Sequence, residues 1–188
     1  MSEISAGTDA PLTDEEWAWA MAKEHIYAFA GGAEKIFYIG LYPAKSPEGT
    51  WLIYQEIEKS EEGGEKRVII KNRQEKPAYY AYRTMVTVLE GFREAENLDP
   101  EAYLFRGEGI GEEDVRAMFD LTRHVLERGR YRFLLADGRE IYVLWGEGDL
   151  PPELQGEVRV TDWRGETSTI LAEDLRPDDA PLYVETLP

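Results

Sequence analysis

Two histidines, thirty-eight carboxylates and a set of tryptophans and tyrosines are the side chains through which this chain could do chemistry. His25 and His124 each fall on the middle or later turns of an expected helix. Neither has a His, Cys or paired Asp at metal-ligand spacing, so a zinc site lacks its donors. Neither has a serine in a strand-turn-helix context, so a hydrolase triad lacks its nucleophile. Both read as surface or packed imidazoles. Gly107-Glu108-Gly109-Ile110-Gly111 precedes a helix, as a phosphate loop would, but Glu112, Glu113 and Asp114 set carboxylates where the phosphate would sit. Among the aromatics, Tyr79, Tyr80 and Tyr82 could be taken for a sugar-stacking platform, yet their helical spacing points to core packing. Trp145 lies inside the apolar run 141–145 and is expected in the core. Trp163, at a turn, is the candidate exposed aromatic for stacking on a sugar ring, as in a non-catalytic carbohydrate-binding module.

Composition narrows the classes further. The 188 residues carry a formal charge of −17, which repels nucleic acid and anionic membrane surfaces alike. There is no cysteine, so disulfides, thiolate metal sites and cysteine nucleophiles are excluded. No metal or cofactor is expected. No apolar run approaches the ~20 residues of a membrane span. The opening MSEISAGTDAPL has neither the basic start nor the apolar core of a signal peptide, which makes a cytoplasmic location the default expectation.

The elements that must position these groups can be read from periodicity. Thr13 and Glu16 form a capping box for a helix over 14–30, with Trp19, Ala22, Ile26, Phe29 and Ala30 inward and Glu16, Lys23 and Glu24 left to water. Gly31 and Gly32 stop it. Residues 36–42 read as a buried strand ending at Pro43, and 51–57 and 67–71 as a hairpin around Gly63 and Gly64. Pro77 opens a helix over 76–92, with Tyr79, Tyr82, Val86 and Leu89 on one face and Gly91 at its end. Beyond residue 97 come a short strand at 103–106, a helix over 112–128 and then antiparallel strands. Those at 130–135 and 140–145 are joined by the Asp137-Gly138 turn, and others follow at 157–163, 168–171 and 182–185.

In that order, the stretches 28–41 (AFAGGAEKIFYIGL) and 76–92 (KPAYYAYRTMVTVLEGF) resemble the last βα units of the TIM-barrel retaining glycoside hydrolases. The segment 131–185, with Tyr-Val-Leu-Trp and Val-Thr-Asp-Trp-Arg-Gly, is similar to the small antiparallel domain that often trails such barrels. The resemblance implies that 14–30 is the seventh helix, 35–41 the eighth strand and 76–92 the eighth helix. It implies that Glu3, in Ser2-Glu3-Ile4-Ser5, stands at the nucleophile position, and that Tyr38 stands where an aromatic forms the floor under the sugar. A strand tyrosine buried with its hydroxyl satisfied is the alternative for Tyr38, and an ordinary terminal carboxylate for Glu3. The helix over 112–128 departs from the pattern as an insertion.

Retaining hydrolysis needs two carboxyl groups about 5 Å apart. The family's acid/base Glu follows an Asn, and this sequence has no Asn-Glu dipeptide. The expectation is therefore a fold of two parts. Residues 1–97 form a partial barrel end (helix, strand, β-hairpin, helix), and residues 98–188 a small antiparallel β-sandwich with one inserted helix. The functional expectation is a C-terminal fragment or subunit of a glycoside hydrolase, not catalytic alone. Carbohydrate, a second chain supplying the rest of the barrel, or a homo-oligomer are the partners it implies. A secretion signal would then sit on the missing half. The alternative is a non-catalytic carbohydrate-binding or protein-interaction module.

Overall fold

The computed structural model describes residues 12–36, 52–62, 65–99 and 127–187. All but the first residue of the strand expected at 36–42, the strand expected at 103–106, the glycine loop 107–111, all but the last two residues of the helix expected over 112–128, Glu3, Tyr38 and His124 lie outside them. The fold is mixed α/β: two helices, a two-stranded antiparallel ribbon and a six-stranded antiparallel sheet.

Helix α1 (Asp14–Ala30) starts at the capping box, where Thr13 Oγ1 accepts from the Glu16 N–H at 3.2 Å and the Glu16 carboxylate accepts from the Thr13 N–H at 2.7 Å. Strands β1 (Ile53–Glu62) and β2 (Glu65–Glu75) form the ribbon. Helix α2 (Pro77–Val88) follows at once, and Gly91, at φ +74°, turns the chain into β3 (Phe92–Asn97).

The two helices lie side by side and parallel. Asp14 pairs with Lys76 at 2.9 Å beside their starts, His25 meets Tyr82 edge-on at 5.8 Å farther along, and Phe29 in the last turn of α1 meets Phe92 just past α2 at 5.0 Å. Their contact near the N-termini is built from Ala18, Ala22, Ala78 and Ala81, whose small side chains let the axes approach closely. The inward face of α2 is therefore Ala78, Ala81, Thr84, Met85 and Leu89, with the tyrosines at its margins. Val86, expected inward, is 47% exposed. Lys23, expected in water, is buried. Its ammonium lies 5.7 Å from the ring centre of Trp145, a cation–π contact that replaces part of its hydration.

The sheet adds β4 (Gly129–Leu135), β5 (Glu140–Trp145), β6 (Glu157–Thr161), β7 (Thr167–Leu171) and β8 (Leu182–Thr186), in the order β3-β4-β5-β8-β6-β7. In place of the expected sandwich of two sheets, the described strands from Phe92 onward form one sheet with the helices packed on it. Tyr131, Phe133, Leu135, Ile141, Val143 and Trp145 meet Ile26, Met85 and Leu89 in one core. That core joins residues from both sides of the boundary expected at 97/98. The opposite face packs Tyr142, Leu144, Val158, Val160 and Val184 against Leu154, Ala172 and Leu175 of the connections. No helix among the described residues is long and apolar enough to cross a membrane.

Two adjacent residues fix the start of β4. The Trp145 indole lies so close to Gly129 that a Cβ there would stand 2.2 Å from its ring. The Arg130 guanidinium, 3% exposed, donates to the carbonyls of Gly129 (2.7 Å), Trp145 (2.6 Å), Gly146 (2.9 Å), Gly148 (3.2 Å) and Asp149 (3.0 Å). Arg130→Met leaves these acceptors without their donor and is expected to lower the unfolding free energy by more than about 3 kcal/mol. Arg130→Lys should recover only part, since one ammonium cannot reach five carbonyls. Gly129→Ala should be comparably damaging through the indole clash. Urea denaturation checks all three, and a loss under about 1 kcal/mol for Arg130→Met would overturn this role.

Candidate functional site

Strand register divides the helix-side face of the sheet into two halves. Across β4, β5, β8, β6 and β7, one row reads Phe133, Ile141, Glu185, Arg159, Thr169, and the next reads Tyr131, Val143, Tyr183, Thr161, Thr167. The face is apolar beneath the helices and polar beyond them. At the junction a groove of about 220 Å³ opens between Thr87 and Val88 at the end of α2 and the strands β5, β8 and β6.

Glu185 lines that groove. Arg159 Nη1 donates to its Oε2 at 2.9 Å and Arg139 Nη1 approaches its Oε1 at 3.5 Å. Both guanidiniums are about half exposed, whereas the Glu185 side chain is only 16% exposed. Arg139 is further oriented by Asp137, whose Oδ2 accepts from Nε at 2.8 Å. The Asp137 carboxyl is held below its ordinary range, first by the Arg139 backbone N–H and then by the guanidinium bond. Tyr183 lines the wall. Its hydroxyl is fully buried with no hydrogen-bond partner, and burial pushes the phenol well above its ordinary pKa. Two guanidiniums with unused N–H groups and one carboxylate can grip a ligand rich in hydroxyls or oxygens, whereas the buried Tyr183 hydroxyl is out of its reach. None of this cluster has the strained nucleophile or paired free carboxyls of a hydrolytic centre.

Of Glu3, Tyr38 and Trp163, only Trp163 lies among the described residues, and it is not at the surface. It is 7% exposed in the core between the helices and the β6–β7 turn, edge-on to Trp19 at 6.1 Å. The Arg164 guanidinium covers its ring at 4.6 Å, and Arg164 also pairs with Glu15. A tight turn in sequence is here folded back under α1, which hides the ring a sugar would need. His25 is a packed imidazole, its Nδ1–H donating to the Met21 carbonyl at 2.7 Å. Burial lowers its pKa, partly offset by that bond. Among the described residues, no group of three or more His, Cys, Asp or Glu side chains is arranged to hold a metal ion. The groove residues went unremarked in the sequence, although the alternation in Val158-Arg159-Val160-Thr161 does set Arg159 and Thr161 on one face. What periodicity cannot convey is that this face meets the end of α2.

No family model matches this chain, nor does any curated protein or solved structure.

Two charges on α1 make stability depend on pH. Burial pushes the Glu24 carboxyl up to about 7 and the Lys23 ammonium down to about 8, the latter offset by Asp179 and Asp178. A raised carboxyl means that the folded state holds its proton longer than the unfolded chain does. Glu24 therefore costs nothing near pH 4, and its penalty grows as pH rises through 7. Glu24→Gln should stabilise the protein at pH 8 by up to about 3 kcal/mol and leave it unchanged at pH 4. Lys23 acts with the opposite slope, its penalty fading only as pH rises from 8 toward the ordinary lysine range. Thermal melts of wild type and Glu24→Gln across this range decide the point. Equal gains at pH 4 and pH 8 would show that the carboxyl is not the cause.

Proposed function

We propose that this chain is the C-terminal part of a TIM-barrel retaining glycoside hydrolase, inactive by itself and completed by a second chain that supplies the first six βα units. The observation that carries this reading is the parallel packing of α1 and α2. Helices consecutive in the chain can lie parallel only if the connection returns to the starting end, which is what a βα unit does. The described end of that connection lies at the α2 N-terminus, where the Lys76 N–H donates to the Leu52 carbonyl at 3.0 Å.

The ribbon of β1 and β2 belongs to the same connection. In a (β/α)8 barrel the βα connections form the face that carries the active site. Under this reading the ribbon is a flap beside the sugar site. It presents Ile57, Val68 and Ile70 on one side at 48%, 62% and 57% exposure, a strip that a second chain would cover. Glu3 would act as nucleophile and Tyr38 as the sugar floor, and the acid/base carboxyl would come from the partner.

A non-catalytic carbohydrate-binding module is the second reading. The groove beside Glu185 favours it, since Trp163 has no free ring face.

Mixing the protein with a chain carrying six βα units should restore hydrolysis of an aryl glycoside, and Glu3→Gln should abolish it. Ile57→Lys with Ile70→Lys should weaken the association at least tenfold without lowering the melting temperature of the isolated chain. Hydrolysis by the isolated chain, or a mixture that neither associates nor turns over, overturns the first reading.

A further inference from the structure

We propose that β7 is a self-pairing edge, where two copies of this chain join antiparallel across a two-fold axis into one continuous sheet. This stands apart from both readings above and rests on other residues.

Backbone bonding fixes which groups β7 shows to the outside. Glu157 accepts from the Leu187 N–H, so the odd-numbered positions of β6 bond toward β8. The even-numbered positions bond toward β7. That ladder continues into Ala172 N–H to Gly156 at one end and Asp162 N–H to Glu166 at the other. Ser168 and Ile170 therefore direct their backbone groups to β6, and Thr167, Thr169 and Leu171 turn theirs outward. No described strand lies beyond them.

The two edges of the sheet are built differently. Strand β3 carries Arg93, Glu94 and Glu96 and a register shift between Phe92 and Glu94, devices that stop another strand from adding. Strand β7, Thr167-Ser168-Thr169-Ile170-Leu171, has no charge, no proline and an unbroken register on β6. Its threonines and isoleucine favour an extended chain, and Leu171 is 44% exposed. In a chain of charge −17, an uncharged outer strand is where a second copy meets least repulsion.

The edge also complements itself. With Thr169 on the axis, Thr167 faces Leu171 of the copy, and each outward N–H faces an outward carbonyl. Ser168 then stands opposite Ile170, and no like charges are opposed. The charges sit past the ends, with Arg164 and Glu166 before the strand and Glu173, Asp174 and Arg176 after it. Antiparallel pairing brings Arg164 toward Glu173 and Asp174 of the copy, and Arg176 toward Glu166. Parallel pairing would bring each charge toward its own duplicate. A two-fold contact closes on itself, so assembly stops at two copies.

Sedimentation equilibrium of the full chain, from micromolar to near-millimolar concentration, tests this at low and at high salt. A monomer–dimer equilibrium is expected, tighter at high salt because screening relieves the repulsion between two acidic bodies. Thr169→Lys sets two ammonium groups face to face on the axis. It should weaken the dimer about tenfold or more and leave the melting temperature of the monomer unchanged, since the position is exposed. The same change lowers the net negative charge, so an effect of overall charge would strengthen association instead. Thr169→Pro removes only an outward N–H and should weaken the dimer similarly. Ile57→Lys with Ile70→Lys should leave it intact. Amide exchange at Thr167, Thr169 and Leu171 should be fast at low concentration and slow at high concentration. The proposal is overturned by a monomer at every concentration or a dimer indifferent to Thr169→Lys. A dimer lost in the ribbon variant, or slow exchange of these amides in the monomer, overturns it too. Failed reconstitution of a hydrolase leaves this interface intact, and a monomeric chain leaves the hydrolase reading intact.

Discussion

The structure depends on the seating of Trp145 against a residue without a side chain. Its indole is fully buried, rests on Gly129, stacks on Tyr131 at 5.1 Å and takes the Lys23 ammonium on its ring. One side chain thereby joins β4, β5 and α1. The carbonyls of the turn that follows have no partners within the sheet ladder, and Arg130 satisfies them from below. Buried backbone acceptors without donors are rare because each costs as much as a lost hydrogen bond. Here one guanidinium meets three turn carbonyls, those of Gly146, Gly148 and Asp149, and adds bonds to the carbonyls of Gly129 and Trp145 at the strand ends. The end of β5 is held from both faces of the sheet, the indole on the helix side and the guanidinium on the other.

From that fixed point the helix pair is placed by size complementarity. Near their starts, α1 and α2 meet through alanines, so their backbones approach each other rather than the sheet. Farther along, Ile26, Met85 and Leu89 are larger and fill the space above Tyr131, Phe133 and Ile141. The β6–β7 turn closes the alanine end by inserting Trp163. A Cβ at Gly165 would stand 3.1 Å from Thr84 Oγ1, which shows how tightly that turn abuts α2. The helices are thus clamped between the middle of the sheet and its far hairpin, and the polar strip between these two anchors is left as a groove.

How legible this was in the sequence varies with how local the determining interaction is. The capping box at Thr13, the proline start at Pro77 and the Asp137-Gly138 turn, with Gly138 at φ +88°, are set by a few neighbouring residues, and each stands where periodicity and turn chemistry put it. The alternation in 157–161 gave β6 for the same reason. Strand β3 was not legible. Phe92-Arg93-Glu94-Ala95-Glu96-Asn97 has no apolar alternation, and its residues favour helix. It is a strand because Gly91 ends α2 and β4 offers an edge, with Phe92 opposite Leu135 and Ala95 opposite Phe133. The inner face of α2 was misread for a related reason. Large residues were assigned to the core, whereas the contact that matters most there is between alanines. The groove was legible only as one-face alternation, because its second wall comes from an element seventy residues earlier.

The two halves of the sheet face carry different consequences for function. Beneath the helices every position is apolar and filled, so nothing there can bind or react. Beyond them the same pleat presents Glu185, Arg159 and threonines, and no described element covers these positions. A surface strip of this kind is ordinarily open to water and pairs its own charges. Tyr183 belongs to the filled half, since its ring lies in the core and its hydroxyl is buried without a bond. A phenylalanine would fill the same volume without burying an unpaired hydroxyl. The unpaired Tyr183 hydroxyl is thus a cost carried by the core, as are the unpartnered Trp19 Nε1 and Thr84 Oγ1.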